Sequence, residues 1–262
     1  MKITSGHVGI FLLVALCNAQ EHDATDLAKK TQNPVSDLIS IPFQNNINGT
    51  VPPAGRVINN LNIQPVVPIA ISSGVNMILR NILPVNAVPV GADRTVFGFG
   101  DMVTTAFFSP SKAGSLVWGA GPVLQSRTAS APELGSGKWA LGPGIVLVKM
   151  TGPWVLGGLF QQLWSFAGDA NRNRINFFQT QPFVNYNLKK GWAVGYAPFW
   201  TADFTNPAGK NWTIPVGLQI SRTFVLARQP MSMAAGYYYN VIHPDGQPHW
   251  QARIGYTILL PK

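Results

Sequence analysis

Two histidines and an aspartate near the C-terminus are the residues best suited to metal binding or acid–base chemistry. His243 and His249 flank Asp245 in a short polar segment, and imidazole and carboxylate groups at such spacing can bind zinc. A solvated turn with the sequence His-Pro-Asp-Gly accounts for the same residues. We therefore predict neither a metal site nor a cofactor.

Hydrolytic catalysis has little support in the remaining residues. A lipase would need a serine beside a histidine base, and His249 is the only candidate base that enters a predicted strand. A protease based on paired carboxylates could use Asp101 and Asp203, but these residues lie on predicted strands that are not neighbours. We predict that the protein is not an enzyme, with a lipase embedded in a barrel as a remote alternative.

The composition indicates a surface that contacts lipid. Charged residues make up 11% of the chain and aromatic residues another 11%, whereas charged residues average about 25% in globular proteins. The formal net charge is +9, and the basic residues are scattered instead of clustered. Scattered charge argues against a nucleic-acid-binding patch, and it suits anionic lipid headgroups or an anion-preferring pore.

Strand-like segments rich in Val, Ile, Phe, Tyr and Trp recur between residues 37 and 260, separated by Gly, Pro, Asn, Asp and Ser clusters. Twelve such segments are long enough for tilted membrane strands of about 9 to 11 residues. We therefore predict an all-β protein, a single transmembrane antiparallel β-barrel of about twelve strands that occupies residues 36–262. The pattern is least clear between residues 154 and 187, where Gln162 falls on the predicted lipid face.

Side-chain alternation along these strands assigns polar residues to the barrel interior. Glutamine and asparagine dominate this set, and its two arginines are expected either to face water or to pair with its two aspartates. The predicted lumen-lining residues are Gln44, Asn62, Gln64, Arg80, Asp101, Gln125, Gln161, Gln179, Gln181, Asn185, Asp203, Gln219, Gln251 and Arg253.

The connections alternate between long polar loops and shorter turns. Loops such as residues 86–96 and 126–137 would lie outside the cell, whereas turns such as residues 188–191 would lie in the periplasm. An even number of strands then places both termini in the periplasm.

Tryptophan placement indicates an aromatic girdle at the two lipid–water interfaces. All eight tryptophans fall near the ends of predicted strands: Trp118, Trp139, Trp154, Trp164, Trp192, Trp200, Trp212 and Trp250. A soluble sandwich or propeller would predict neither this placement nor the alternating loop lengths.

The chain begins with the features of a secretion signal. A positive residue precedes an apolar run over residues 8–17, and residues 17–19 offer small side chains for cleavage. Residues 1–19 are therefore predicted to be a signal peptide. Residues 20–35 would form a periplasmic N-terminal segment, either a short helix or plug inside the barrel or a solvated tether.

Five fragments carry a resemblance to a known family. They are DLAKKTQNPVSDLISIPFQNN (26–46), GSGKW (135–139), WSFAGD (164–169), QPFVNYNL (181–188) and WTIPVG (212–217). They resemble Gram-negative outer-membrane barrels classed as transporters, near the family named for the meta-pathway (MetA-pathway) of phenol degradation, some of whose members bear the misapplied name neuromedin U. The resemblance implies a barrel that moves hydrophobic compounds, and it supplies no catalytic residues.

The last predicted strand resembles the C-terminal sorting signal of outer-membrane proteins. Arg253, Gly255, Ile258 and Leu260 follow its pattern, although the chain ends in Leu-Pro-Lys where the signal has an aromatic residue. This resemblance implies the barrel-assembly machinery as a partner during biogenesis, together with outer-membrane lipid.

These features predict a protein of the outer membrane that acts as a channel or passive transporter for small hydrophobic or weakly anionic solutes. The alternative is a barrel with a closed lumen, which has a structural or surface-interaction role and carries out no transport.

Overall fold

The computed structural model describes residues 24–51, 55–91, 93–112, 114, 116–207 and 209–260. The predicted signal peptide, residues 1–19, lies outside the described residues. A helix covers residues 24–31, and single turns of 3-10 helix cover Pro132–Leu134 and Lys189–Gly191. Within the described part of the chain, no helix is long and apolar enough to cross a membrane.

Fifteen antiparallel strand segments form one sheet. They are β1 (Ile39–Val51), β2 (Arg56–Ile63), β3 (Val66–Ala70), β4 (Val75–Val90), β5 (Arg94–Phe99), β6 (Val103–Pro110), β7 (Leu116–Gln125), β8 (Lys138–Thr151), β9 (Trp154–Gly168), β10 (Asn176–Asn187), β11 (Trp192–Tyr196), β12 (Trp200–Asp203), β13 (Trp212–Leu226), β14 (Gln229–Ile242) and β15 (Trp250–Leu260).

The sheet closes into a barrel, because β1 pairs with β15 and each later crossing pairs with the one before it. Three crossings consist of two segments each: β2 with β3, β5 with β6, and β11 with β12. The chain therefore crosses the barrel wall twelve times, and the predicted fold is confirmed. A barrel satisfies every strand edge, which a membrane protein must do because lipid offers no hydrogen bonds.

Both ends of the barrel domain lie at the same rim, since Ile39 pairs with Leu260. We call this rim the terminal rim. The opposite rim carries the loop of residues 126–137 and the other long connections, and we call it the loop rim.

One predicted loop is instead part of the wall. Residues 86–96 were expected to be irregular, but β4 and β5 pair from Val85 with Phe99 to Val90 with Arg94. The Gly and Pro content of this segment suggested a loop, yet only residues 91–93 lie between the two strands. Arg56 braces the turn by donating from Nη1 to the Arg94 carbonyl at 3.0 Å.

Apolar side chains cover the outer surface of the wall. Leu218, Ile254 and Tyr237 are 64%, 57% and 56% exposed, although each lies near the middle of its strand. An exposed apolar belt of this kind is a lipid-contacting surface. The eight tryptophans lie toward strand ends, with Trp118, Trp154 and Trp192 near the terminal rim and the other five near the loop rim.

A polar pair interrupts this belt where the sequence pattern is least clear. Gln162 faces outward beside Phe178, and its Nε2 donates to Oδ1 of Asn176 at 3.0 Å. The two amides satisfy each other in part, which lowers the cost of placing Gln162 toward lipid.

Candidate solute path through the barrel

The three strand interruptions shape the middle of the lumen. Gln64 follows β2, Asp101 lies between β5 and β6, and the segment of residues 197–199 separates β11 from β12. A break in the ladder frees backbone groups for other partners. The freed carbonyl of Ala197 accepts hydrogen bonds from Gln181 Nε2 at 3.1 Å and from Arg253 Nη1 at 2.8 Å.

Three cavities lie in series between the rims. The mouth cavity, about 550 Å³, lies among the loop residues Asn171–Arg174 and Asn206. The middle cavity is about 330 Å³ and shares Gln125 and Phe177 with the mouth cavity. The inner cavity is about 230 Å³ and shares Gln64 and Arg253 with the middle cavity. The wall that contains Gln64 and Arg253 is therefore the junction between the two halves of the lumen.

The structure brings every predicted lumen residue to one of these cavities. The inner cavity contacts Gln44, Gln64, Arg80, Gln181, Asn185, Gln219 and Arg253. The middle cavity contacts Asn62, Gln64, Asp101, Gln125, Gln161, Gln179, Gln251 and Arg253. The mouth cavity contacts Gln125 and Asp203.

A row of asparagines beside the middle cavity extends the predicted set. Asn46 Nδ2 donates to Asn60 Oδ1 at 3.2 Å, and Asn60 Nδ2 donates to Asn86 Oδ1 at 2.6 Å. Gln44 was predicted to face inward, and Asn46 and Asn48 follow it at every second residue. The same alternation could therefore have identified them.

Arg253 is held by neutral groups. Its Nε donates to Asn46 Oδ1 at 3.0 Å and its Nη2 donates to Gln251 Oε1 at 3.0 Å. Its guanidinium carbon lies 5.1 Å from the ring centre of Tyr238 and 5.7 Å from that of Phe199. Cation–π contacts and amide oxygens replace the carboxylate partner that the sequence allowed for.

Of the two arrangements that the sequence allowed for the lumen arginines, pairing with the lumen aspartates is not seen among the described residues, where no carboxylate oxygen lies within 4.0 Å of Arg80 or Arg253. Asp203 instead accepts from the backbone nitrogen of Thr205 at 2.9 Å. The aspartates shape loops, and the lumen keeps an excess of positive charge.

One side of the barrel interior is apolar, whereas the sequence pattern predicted a polar interior. Phe107, Val123, Val146, Val155 and Leu159 face inward from β6 to β9 and are fully buried. In β8 the outward residues are apolar as well, so side-chain alternation carries no polarity signal there. The inner cavity is bounded by β1, β3, β4, β10 and β13 to β15, and the middle cavity also reaches Gln125 at the end of β7 and Gln161 in β9.

Residues 24–38 enter the terminal end of the barrel. Ala28 and Val35 are 2% and 7% exposed, and Val35 packs into the apolar cluster that includes Ile78 and Phe107. Gln32 and Asn187 exchange two side-chain hydrogen bonds, of 2.9 and 3.2 Å. Residues Thr31–Pro34, Ser36 and Leu38 contact the inner cavity, so this segment forms its floor toward the terminal rim.

Asp101 anchors the loop of residues 126–137 over the middle cavity. Its carboxylate accepts from the backbone nitrogens of Thr128, Ala129 and Ser136 at 3.2, 3.1 and 2.7 Å. Arg172 adds a brace, since its Nη2 donates to the carbonyl of Pro132 at 2.9 Å. The loop is thus fixed across the loop rim by charge-assisted hydrogen bonds.

We expect Asp101→Ala to release this loop, because hydrogen bonds to a charged group contribute about 1.5–3 kcal/mol each. Limited trypsin digestion of the folded barrel should then cut after Arg127, which is exposed in the loop. Asp245→Ala is the control, since it breaks only an exposed ion pair with Lys210. Equal cleavage of the two variants at Arg127 would contradict the anchoring role of Asp101.

In the loop of the histidine cluster, the structure pairs the aspartate with a lysine. The His243 and His249 rings lie 4.6 Å apart, but Asp245 pairs with Lys210 at 2.5 Å. The hydrogen bond and positive charge of Lys210 hold the pKa of Asp245 below its usual value. Among these residues there is no group of three metal-ligating side chains, and no serine hydroxyl bonds to either imidazole.

Comparison with solved structures identifies similar barrels. An outer membrane channel from Pseudomonas putida F1 superposes with a TM-score of 0.63 at 15% identity, over 85% of this chain and 94% of that chain. Outer membrane phospholipase A from Escherichia coli gives a TM-score of 0.46 at 8% identity, over 85% of this chain and 96% of that chain. The second likeness is too weak to bear on function.

Sequence comparison gives the family. No curated protein matches the chain. A family model described as "Putative MetA-pathway of phenol degradation" matches residues 49–257, which is most of the barrel. The closed barrel, its apolar belt and this match together make the protein an outer-membrane β-barrel that belongs to the family of that description.

Proposed function

We propose that the protein is a narrow outer-membrane channel for small hydrophobic or weakly anionic solutes and that it catalyses no reaction. The observation that carries the proposal is the series of three cavities with shared walls, which extends from the loop rim to residues 24–38. A barrel with a purely structural role would need no such series. In this proposal the loop rim faces the outside of the cell, since longer connections lie there.

The chemistry of the path supports this solute class. Amide side chains line the middle cavity and hydrogen-bond one another, so a passing solute meets polar groups that carry no charge. Phe43 and Phe183 contact the inner cavity and offer apolar surface beside those amides. The lumen arginines, which have no carboxylate partner in the part of the chain that the structure describes, favour anions over cations.

Residues 24–38 limit the path at its inner end. We propose that this segment acts as a plug that leaves only a narrow exit, because it is fixed by the Gln32–Asn187 pair and by burial of Val35. This assigns the N-terminal segment to the lumen instead of to a solvated tether.

The test measures how fast small neutral solutes enter liposomes that contain the refolded mature protein. Solute entry is detected as swelling of the liposomes in isotonic solutions of each solute. Swelling well above that of empty liposomes is expected, and Gln64→Trp should slow it by filling the junction between the middle and inner cavities. Gln162→Trp is the matched control, because Gln162 faces outward and the same change there leaves the lumen untouched. A folded barrel without swelling would favour the closed-lumen alternative.

A further inference from the structure

We propose that the inner cavity is a binding site for the carboxylate group of a small amphipathic solute, with Arg80 as the anion-binding residue. This inference rests on the proposed function, since the solute would reach the cavity through the lumen. It adds a chemical class and a residue to that function.

Arg80 has an unused donor in a buried position. The residue is 9% exposed, and its Nη2 donates to Gln64 Oε1 at 2.6 Å. Its Nη1 is buried without a hydrogen-bond partner among the described residues. A buried guanidinium with a missing partner is costly, because water no longer solvates the charge. An anion that accepts from Nη1 would remove this cost.

The surroundings of Arg80 favour an anion. The inner cavity is lined by a second guanidinium, that of Arg253, and by no aspartate or glutamate among the residues that contact it. The donors of Arg253 already bind Asn46, Ala197 and Gln251, so Arg253 contributes charge and leaves the direct contact to Arg80. A planar guanidinium matches the two oxygens of a carboxylate.

The remaining lining indicates an apolar body attached to the carboxylate. Phe43, Val66, Phe183 and Leu259 contact the inner cavity beside the hydroxyls of Ser221 and Ser232. The volume of about 230 Å³ is below the range of about 300–1,000 Å³ found for drug-sized ligands. The fitting class is therefore a small monocarboxylate with a compact apolar or aromatic group.

The test compares benzoate with benzamide, which has nearly the same shape and no charge. Isothermal titration calorimetry on the mature protein in detergent micelles is expected to show benzoate binding at least about tenfold more tightly, as one charge-assisted hydrogen bond requires. Arg80→Gln should abolish this preference. Arg222→Gln should keep it, since Arg222 lies on the outer surface over the ring of Trp192, 5.2 Å from its centre.

Several outcomes would overturn the assignment. Equal affinity of the unchanged protein for benzoate and benzamide would overturn it. An unchanged preference for benzoate in a folded Arg80→Gln protein would also overturn it. Inorganic phosphate or acetate binding as tightly as benzoate would reject the amphipathic carboxylate. Benzoate preference without liposome swelling would retain the site and reject the channel, whereas swelling without that preference would retain the channel and reject the site.

Discussion

Deleting residues 24–35 is expected to increase the single-channel conductance of the protein several-fold. The segment forms the floor of the inner cavity, which at about 230 Å³ is the smallest of the three cavities on the path. Its removal would widen the exit at the terminal rim and leave the strand pairing intact, because β1 begins only at Ile39. Planar-bilayer recording of the full mature chain and of the deletion variant measures the difference.

A point substitution tests whether the contact of Val35 with the barrel interior holds this segment in place, without shortening the chain. Val35→Asp places a carboxylate in the apolar cluster around Ile78 and Phe107, where an unpaired charge is strongly unfavourable, so the segment should leave the lumen. Asp37→Asn is the matched control, since Asp37 is exposed in the same segment. If Val35→Asp and the deletion both conduct like the unchanged protein, residues 24–38 do not limit the path.

Ile254→Lys is expected to destabilise the barrel by about 2–4 kcal/mol, the cost of a lysine on the lipid face near mid-depth. Ile254 is 57% exposed on the outer surface and pairs with Asn45 and Ala235 in the middle of β15. Urea-dependent folding into lipid vesicles, followed by tryptophan fluorescence, gives the change in the free energy of unfolding.

Thr257→Lys is the control for this effect. Thr257 lies on the same strand, but it faces the inner cavity, where Ser232 and other polar groups can solvate the ammonium despite the positive charges of Arg80 and Arg253. Its cost should be clearly smaller than that of Ile254→Lys. Equal losses of stability would mean that the two faces of β15 are assigned incorrectly.

The number of crossings was predictable because each strand is delimited by its own turn chemistry. Gly152 at the β8–β9 turn has a φ of +53°, a conformation that glycine adopts without strain. In β15 the alternation of side chains separates Ile254, which is exposed, from Arg253, which is buried. These signals are local, so they can be recognised in each segment without knowledge of the neighbouring strands.

The features that shape the path were not predictable in the same way. The interior of β8 is as apolar as its exterior, because Val146 and Val148 pack against the N-terminal segment and neighbouring strands instead of facing water. The break at residues 197–199 depends on partners that are distant in sequence, such as Arg253. Contacts between distant residues leave no periodic signal in a single sequence.

The sequence of residues 20–35 is compatible with both a plug and a tether, for a related reason. The segment carries two large apolar residues, Leu27 and Val35, among many polar ones, and Gln32 is typical of a solvated chain. The hydrogen-bond partner of Gln32 is the side-chain amide of Asn187, far along the chain. Only the closed barrel brings these two amides together.

The most direct test of a polar path with an excess of positive charge is the reversal potential of the mature protein in a planar bilayer under a potassium chloride gradient. We expect discrete conductance steps and a reversal potential that lies closer to the Nernst potential of chloride than to that of potassium. The reason is that Arg80 and Arg253 face the lumen without carboxylate partners among the described residues. A folded barrel that shows no conductance steps either with or without residues 24–35 would contradict the proposed path. A reversal potential closer to the Nernst potential of potassium would contradict its excess of positive charge.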